Sequence, residues 1–167
     1  MGRDNIRHTF DSYPGYKILN RVLPQSPKTE KKILGIYLTH PEKRSLEDNI
    51  FSEMFYRRPN RKIFETMAEM EPLNGILLVE ELRRQEVFEF VGGRDYIERL
   101  HKIGLDTNPE CLQDCIQIVR ETYLRRNLIN CLFKGLEEVY EPSANVKEII
   151  KLLSKRVSEI LAEYNNL

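Results

Sequence analysis

A chain of 167 residues with 41% hydrophobic residues has the length and composition of one folded domain with a single buried core. Its 26 lysines and arginines balance its 26 aspartates and glutamates, which argues against binding of nucleic acid driven by overall charge. The longest apolar runs, such as residues 76–79, are too short to span a bilayer, and no secretory apolar segment follows Met1.

Three cysteines, at positions 111, 115 and 131, fall in a stretch that is predicted to be helical. Cys111 and Cys115 share a helix face, but no histidine has a spacing that would complete a metal site with them. Buried thiols that pack as small hydrophobic side chains are the simpler interpretation. We therefore expect no metal, no cofactor and a reducing, cytoplasmic compartment.

Helical periodicity begins after residues 1–22, which lack any period and are predicted to form a flexible N-terminal extension. Ser26 followed by Pro27 is typical of a helix start, because the Ser hydroxyl can cap free N–H groups and Pro loses nothing at the first helical position. Ser45 and Asp48 have the spacing of a capping box and predict a short helical segment.

Two glycine-containing turns divide the next stretch. Asn74-Gly75 precedes an apolar segment, and Gly92-Gly93 predicts a tight turn that requires positive φ. The helix after this second turn has an inner face that consists of Tyr96, Ile97 and Leu100.

Pro59 starts a helix whose first turn is surrounded by basic side chains: Arg57, Arg58, Arg61 and Lys62. We favour a solvated helix end balanced by neighbouring glutamates. The alternative is a contact with a nucleic-acid backbone or with an acidic partner.

The longest periodic stretch begins at Thr107-Asn108-Pro109 and continues to Tyr140, a rod of about 45 Å. After Pro142, a capping box predicts the final helix, and two long amphipathic helices with so short a connection must form an antiparallel hairpin. No segment alternates as a strand does. The sequence therefore predicts an all-α fold: a compact multi-helix body (residues 23–106) followed by a long antiparallel helical hairpin (residues 107–165).

The predicted hairpin carries more apolar positions than one contact with the body requires, and a helix that is apolar on two faces lies in a core or meets another chain. We therefore predict self-association through the hairpin. The predicted interface residues are Leu112, Ile116, Val119, Tyr123, Ile129, Phe133, Leu153 and Val157.

Catalytic signatures are missing from these 167 residues. The sequence contains no G-x-x-x-x-G-K-[ST] loop for nucleotide phosphates, no nucleophile set with a suggestive spacing, and only carboxylates dispersed among lysines and arginines. We therefore expect no intrinsic enzymatic activity.

Four short blocks occur in an order that resembles the N-terminal domain of the DnaB-type replicative DNA helicases. The blocks are LPQSPKTEKKILG (23–35), MFYRRPNRKIFETM (54–67), VGGRDYIERL (91–100) and IVRETYLRRNLI (118–129). In that family the patterns P-x-S-x-x-x-E, FY…H-x-x-IF, GG-x-x-Y-L and IV-x-E…LRR recur at about these separations. The resemblance covers roughly residues 22–162, and residues 67–91 depart from it because they lack the family's IDL-x-T helix start.

The resemblance implies a non-catalytic assembly and interaction domain of a replicative helicase. Such domains pair through their hairpins, three pairs form the collar of a hexamer that carries the motor domain, and DnaG-type primase docks there, with a helicase loader as a further partner. ATP and Mg²⁺ would bind only in the separate motor domain. The implied docking residues are Tyr96, Arg125, Arg126 and Leu128.

Two alternatives remain open at this point. One is a free-standing relative that regulates or loads a full-length helicase. The other, a helical nucleic-acid-binding protein unrelated to helicases, is disfavoured by the zero net charge. We expect weak or no binding of nucleic acid and no contact with a membrane.

Overall fold

The computed structural model describes residues 21–45 and 48–165, so the predicted N-terminal extension falls almost wholly outside the described residues. The described residues form six α-helices and three short 3₁₀ turns without any strand, and the predicted all-α class is confirmed. The helices are α1 (Pro27–Thr39), α2 (Arg58–Ala68), α3 (Gly75–Arg84), α4 (Gly93–Leu105), α5 (Leu112–Tyr140) and α6 (Val146–Asn165). The 3₁₀ turns are Pro41–Lys43, Ser52–Met54 and Pro109–Cys111.

Asparagine side chains cap the starts of two helices and one turn. Oδ1 of Asn74 accepts a hydrogen bond from the Ile76 N–H at 2.8 Å, and Oδ1 of Asn145 accepts one from the Lys147 N–H at 2.9 Å. Asn108 caps the 3₁₀ turn before α5 in the same way. These local bonds satisfy N–H groups that have no partner within the helix.

Two predicted caps have different outcomes. Ser26 does not cap an N–H group of α1, because its hydroxyl lies 2.6 Å from the Thr29 hydroxyl instead. The Ser45 N–H does donate to the Asp48 carboxylate at 3.3 Å, as a capping box requires. The middle of the short helical segment predicted there, residues 46–47, is outside the described residues.

Gly92 and Gly93 adopt positive φ angles of 99° and 61°, as the sequence predicted for this turn. Gly92 is the N-cap of α4, and its left-handed conformation lets the chain reverse tightly after α3.

The core of the body is built around α1. Its residues Ile33, Leu34, Ile36 and Tyr37 are fully buried. α1 crosses α4 at two glycines, where a Cβ on Gly104 would lie only 2.1 Å from the Gly35 carbonyl oxygen.

α5 belongs to the body along its first half and to the hairpin along its second half. Leu112, Ile116 and Val119 are at most 4% exposed and pack in the body core, whereas most side chains beyond Leu124 are exposed or half-buried. The boundary predicted at residue 107 therefore differs from the structure, in which the protruding hairpin starts near the middle of α5. None of the helices described is long and apolar enough to cross a membrane.

Candidate interaction surface

One face of the hairpin exposes a nearly continuous apolar stripe. Of the sixteen large hydrophobic side chains that are exposed among the described residues, eleven lie on α5 or α6. Beyond Leu128 at the base of the hairpin, the exposed side chains at helical spacing on these two helices form the hairpin stripe: Leu132, Leu136, Val139, Val146, Ile150, Val157 and Leu161. Exposed apolar patches of this kind mark interaction sites, since isolated monomers rarely leave them open.

The seam between α5 and α6 is closed by direct contacts between the two helices. Gly135 lets the helices approach so closely that a Cβ there would lie 2.4 Å from Cδ2 of Leu153. Ile149 is buried, and Arg156 forms an ion pair with Glu138 at 3.3 Å. The two helices therefore pack as one unit, which presents the hairpin stripe outward.

The structure separates the predicted interface residues into two groups. Leu112, Ile116 and Val119 are buried in the core of the same chain and are not available to a second one, so their assignment to an interface is corrected. The others remain accessible: Val157 is 42% exposed, and the half-buried members are Tyr123, Ile129, Phe133 and Leu153.

Tyr96 belongs to a hydrogen-bond network inside the body. Its hydroxyl donates to Oδ1 of Asn60, and Nδ2 of Asn60 donates to the Glu30 carboxylate at 2.8 Å. Glu30 is only 1% exposed and also accepts the backbone N–H groups of Tyr56 and Arg57 at 2.7 and 3.3 Å. The phenol of Tyr96 therefore has a structural role, and because Tyr96 is only half-buried, its predicted part in partner docking stays a prediction.

Arg126 also points inward, contrary to its predicted place on a docking surface. Its guanidinium donates to the carbonyl oxygens of Pro24 at 3.0 Å and Met54 at 2.7 Å. It also lies against the rings of Tyr56 and Tyr123, and burial lowers its pKa. Arg126 thus fastens the segment before α1 and the 3₁₀ turn before α2 to the base of the hairpin.

Arg125 and Leu128, the other two predicted docking residues, do lie on the surface. Arg125 forms an ion pair with Glu121 at 2.8 Å, one turn earlier on α5, and Leu128 is 40% exposed. Both positions remain accessible at the base of the hairpin.

One residue from each of the four sequence blocks lies at a common site inside the body. Glu30, Asn60, Tyr96 and Arg126 come from the first, second, third and fourth block, and they lie around one buried site. Asn60 stands where the resembled pattern has His. The blocks therefore specify the packing of the body against the base of the hairpin.

The basic cluster at the start of α2 is divided between two environments. Arg61 donates to the Phe55 carbonyl oxygen at 3.0 Å, and Lys62 lies 3.8 Å from Glu65. Arg57 and Arg58 are exposed and form no ion pair with any described residue.

The cysteines are free thiols. Sγ of Cys111 lies 3.8 Å from Sγ of Cys115, and burial, followed by this hydrogen bond, raises the pKa of Cys115 to about 11. The described residues include no group of three or more side chains that could hold a metal ion.

Comparison with known proteins identifies the family. The family model "DnaB-like helicase N terminal domain" matches residues 22–121. Among curated proteins, the replicative DNA helicase DnaB of Pasteurella multocida (strain Pm70) is 29% identical over 148 residues, which are 83% of this chain and 31% of that protein. The replicative DNA helicase DnaC of Bacillus subtilis (strain 168) is 24% identical over 152 residues, 87% of this chain and 33% of that protein.

A solved structure supports the same fold. The crystal structure of the N-terminal domain of DnaB helicase from Mycobacterium tuberculosis aligns with a TM-score of 0.73 at 17% identity, and the alignment covers 83% of this chain and 99% of that one. The chain spans about a third of the length of the curated relatives. Because the family model matches more than half of the chain, the protein belongs to the family of DnaB-like helicase N-terminal domains.

Proposed function

We propose that this domain assembles helicase subunits by pairing through the hairpin stripe. Three such pairs would form the N-terminal collar of a hexamer. The observation that carries the proposal is the exposure of the stripe: Leu132, Leu136 and Ile150 are each about half exposed or more, although leucine and isoleucine are residues that usually lie inside.

Pairing of two copies of the hairpin is the simplest way to cover this surface. A twofold interface uses the same patch on both subunits, so one apolar stripe is sufficient for two chains. Each Leu or Ile that becomes fully buried contributes about 1.5–3 kcal/mol, and several such residues offset the entropy lost on association.

Light scattering of the whole chain tests the pairing. We expect a dimer for the wild type and a folded monomer for Leu132→Asp, because a charge buried at an interface without a partner is costly. Leu105→Asp is the matched control, since Leu105 is 66% exposed but lies on the body, in α4. A monomeric wild type at high concentration, or a dimeric Leu132→Asp variant, would contradict the proposal.

We further propose that DnaG-type primase docks at the base of the hairpin, beside Arg125 and Leu128. Both side chains remain accessible there, whereas Arg126 is buried and faces inward. We expect Leu128→Ala to weaken binding of a primase C-terminal domain by about 1–2 kcal/mol, as for an interface anchor, while the dimer mass is unchanged. Leu105→Ala, on the body in α4, is the control. Unaltered primase binding by Leu128→Ala would exclude this site.

The domain acts in this proposal without catalysis and without a nucleotide. Purified chain should show no ATPase activity and no shift in melting temperature with ATP and Mg²⁺, whereas a tight ligand raises stability by several kcal/mol at about a thousandfold over Kd. If the chain instead joins preformed full-length helicase rings in preference to itself, it is a regulator or loader of helicases.

A further inference from the structure

A group of cationic side chains surrounds the ring of Tyr96 where α1, α2 and α4 meet. Nζ of Lys31 lies 5.5 Å from the ring centroid, and Cζ of Arg99 lies 5.6 Å from it. Arg57 lies nearby as well, because its backbone N–H donates to the Glu30 carboxylate, which Asn60 links to the Tyr96 hydroxyl. Lys28 lies one turn before Lys31 on α1, on the same face. We call Lys28, Lys31, Arg57 and Arg99 the cationic patch.

The four side chains of the cationic patch have no ion-pair partners among the described residues, whereas seven other lysines and arginines form ion pairs there. The nearby Glu30 carboxylate is buried and accepts hydrogen bonds from Tyr56, Arg57 and Asn60, and its single negative charge offsets only part of the four positive charges. Lys28, Arg57 and Arg99 are exposed. The patch is thus a local positive field on a chain whose formal net charge is zero.

We propose that the cationic patch binds the phosphate backbone of single-stranded nucleic acid. Lysine and arginine contact phosphates as point charges and need no pocket to do so. The patch lies on the body and shares no residue with the hairpin stripe, so this inference goes beyond the proposed pairing and does not depend on it.

The surroundings of the patch favour nucleic acid over an acidic protein. Protein interfaces place apolar and aromatic side chains at their centre, whereas interfaces with nucleic acid are more polar and more positively charged. The one aromatic ring at the patch, that of half-buried Tyr96, has Lys31 and Arg99 beside it. Four cations around a single half-buried ring give weak binding that depends strongly on salt.

Fluorescence anisotropy with a labelled oligothymidylate tests the proposal on the whole chain. For single strands, log K falls against log[salt] with a slope of about −0.7 per phosphate contacted, so four contacts give about −2.8. We expect the double substitution Lys31→Gln/Arg99→Gln to reduce this slope by about 1.4 and to weaken binding at low salt. The double substitution Lys28→Gln/Arg57→Gln, at the other two positions of the patch, should reduce the slope by the same amount.

The matched control is Lys134→Gln/Lys151→Gln, which removes two exposed cations from the hairpin and should leave the slope unchanged. The monomeric Leu132→Asp variant should also keep the slope, which separates this inference from the pairing. Absence of binding at low salt, or an equal effect of patch and control substitutions, would overturn the proposal. Tighter binding of a labelled oligoglutamate than of the oligothymidylate would overturn it too, since the patch would then select acidic peptides.

Discussion

The carboxylate of Glu30 caps a helix to which it does not belong. No side chain at the N-cap of α2 accepts a hydrogen bond from its first turn, and Glu30 of α1 instead accepts the N–H groups of Tyr56 and Arg57. Its bond with Asn60, which in turn accepts from Tyr96, extends the contact to α4. A buried polar network whose members are all paired fixes one arrangement of the elements that it joins.

We expect Glu30→Ala to lower the free energy of unfolding by about 2–3 kcal/mol, because one buried donor and two part-buried donors lose a charged acceptor. Glu30→Gln should cost less, since its amide oxygen can still accept. Urea unfolding followed by circular dichroism measures both. Glu42→Ala is the control, because the Glu42 side chain is 66% exposed, and it should change stability by less than about 0.5 kcal/mol. Equal effects of the two alanine substitutions would show that the network contributes nothing.

At the scale of elements, the crossing of α1 and α4 depends on two glycines. A Cβ on Gly35 would lie 2.6 Å from the Leu100 carbonyl oxygen, and one on Gly104 would lie 2.5 Å from the Gly35 carbonyl carbon. These neighbours are backbone atoms, which cannot move aside as a flexible side chain can. The close approach places Lys31 and Tyr96 side by side and so builds part of the cationic patch.

Gly104→Ala should destabilise the fold by about 3 kcal/mol, at the upper end for overpacked cores, because α1 and α4 must separate to admit a methyl group. Gly75→Ala is the matched control: nothing lies within 4 Å of its Cβ position, and the change should be neutral or stabilising by up to about 1 kcal/mol. Thermal unfolding of both variants provides the comparison. A Gly104→Ala variant as stable as Gly75→Ala would show that the crossing relaxes without cost.

Local sequence signals predicted the elements well, because the atoms that start a helix are neighbours in the chain. Asn74, Asn108 and Asn145 accept bonds from residues two positions later, and Gly92-Gly93 forms the turn that its residue types favour. The cap predicted at Ser26 was wrong, because the Thr29 hydroxyl competes for the same side chain. Such competition depends on rotamers, which a sequence pattern does not specify.

Contacts between distant parts of the chain could not be predicted in this way. Arg126 resembles a surface arginine in sequence, yet its partners Pro24 and Met54 are 102 and 72 positions away. The apolar periodicity of α5 is also the same in both halves, although Ile116 lies in the core and Leu132 is 57% exposed. Periodicity identifies an apolar face, but it does not say whether that face meets the same chain or another one.

At the scale of the whole molecule, the body encloses groups that resist ionisation. Burial, and next the charge of Asp48, raise the pKa of Tyr37 in the core, and the pKa of Cys115 rises from its ordinary value of 9.0 to about 11. In both cases the fold favours the protonated, neutral form. The unfolded chain therefore releases these protons at lower pH than the folded chain does.

The free energy of unfolding should accordingly be insensitive to these groups below pH 9 and should fall as the pH rises from 9 to 11. A substitution that replaces a group with a raised pKa by a non-titrating one should remove part of this loss of stability. We expect Tyr37→Phe to flatten the decline above pH 10, whereas Tyr140→Phe, at a position 68% exposed, should leave the profile unchanged. Urea unfolding at several pH values measures the slopes. Identical alkaline slopes for the wild type and Tyr37→Phe would contradict the assignment.

Because α5 is one continuous helix, a small tilt of its embedded half displaces the tip of the hairpin by a larger distance. One unbroken helix is embedded in the body at Leu112, Ile116 and Val119 and carries apolar side chains outward beyond Leu124. The part beyond Leu124 is about 24 Å long, so a tilt of about 5° at the embedded end moves the tip by about 2 Å. The tightly packed root, with Arg126 bound to carbonyl oxygens on two segments, opposes such a tilt. The angle at which two chains would meet in the proposed pair is consequently set inside each body, at a distance from the hairpin stripe.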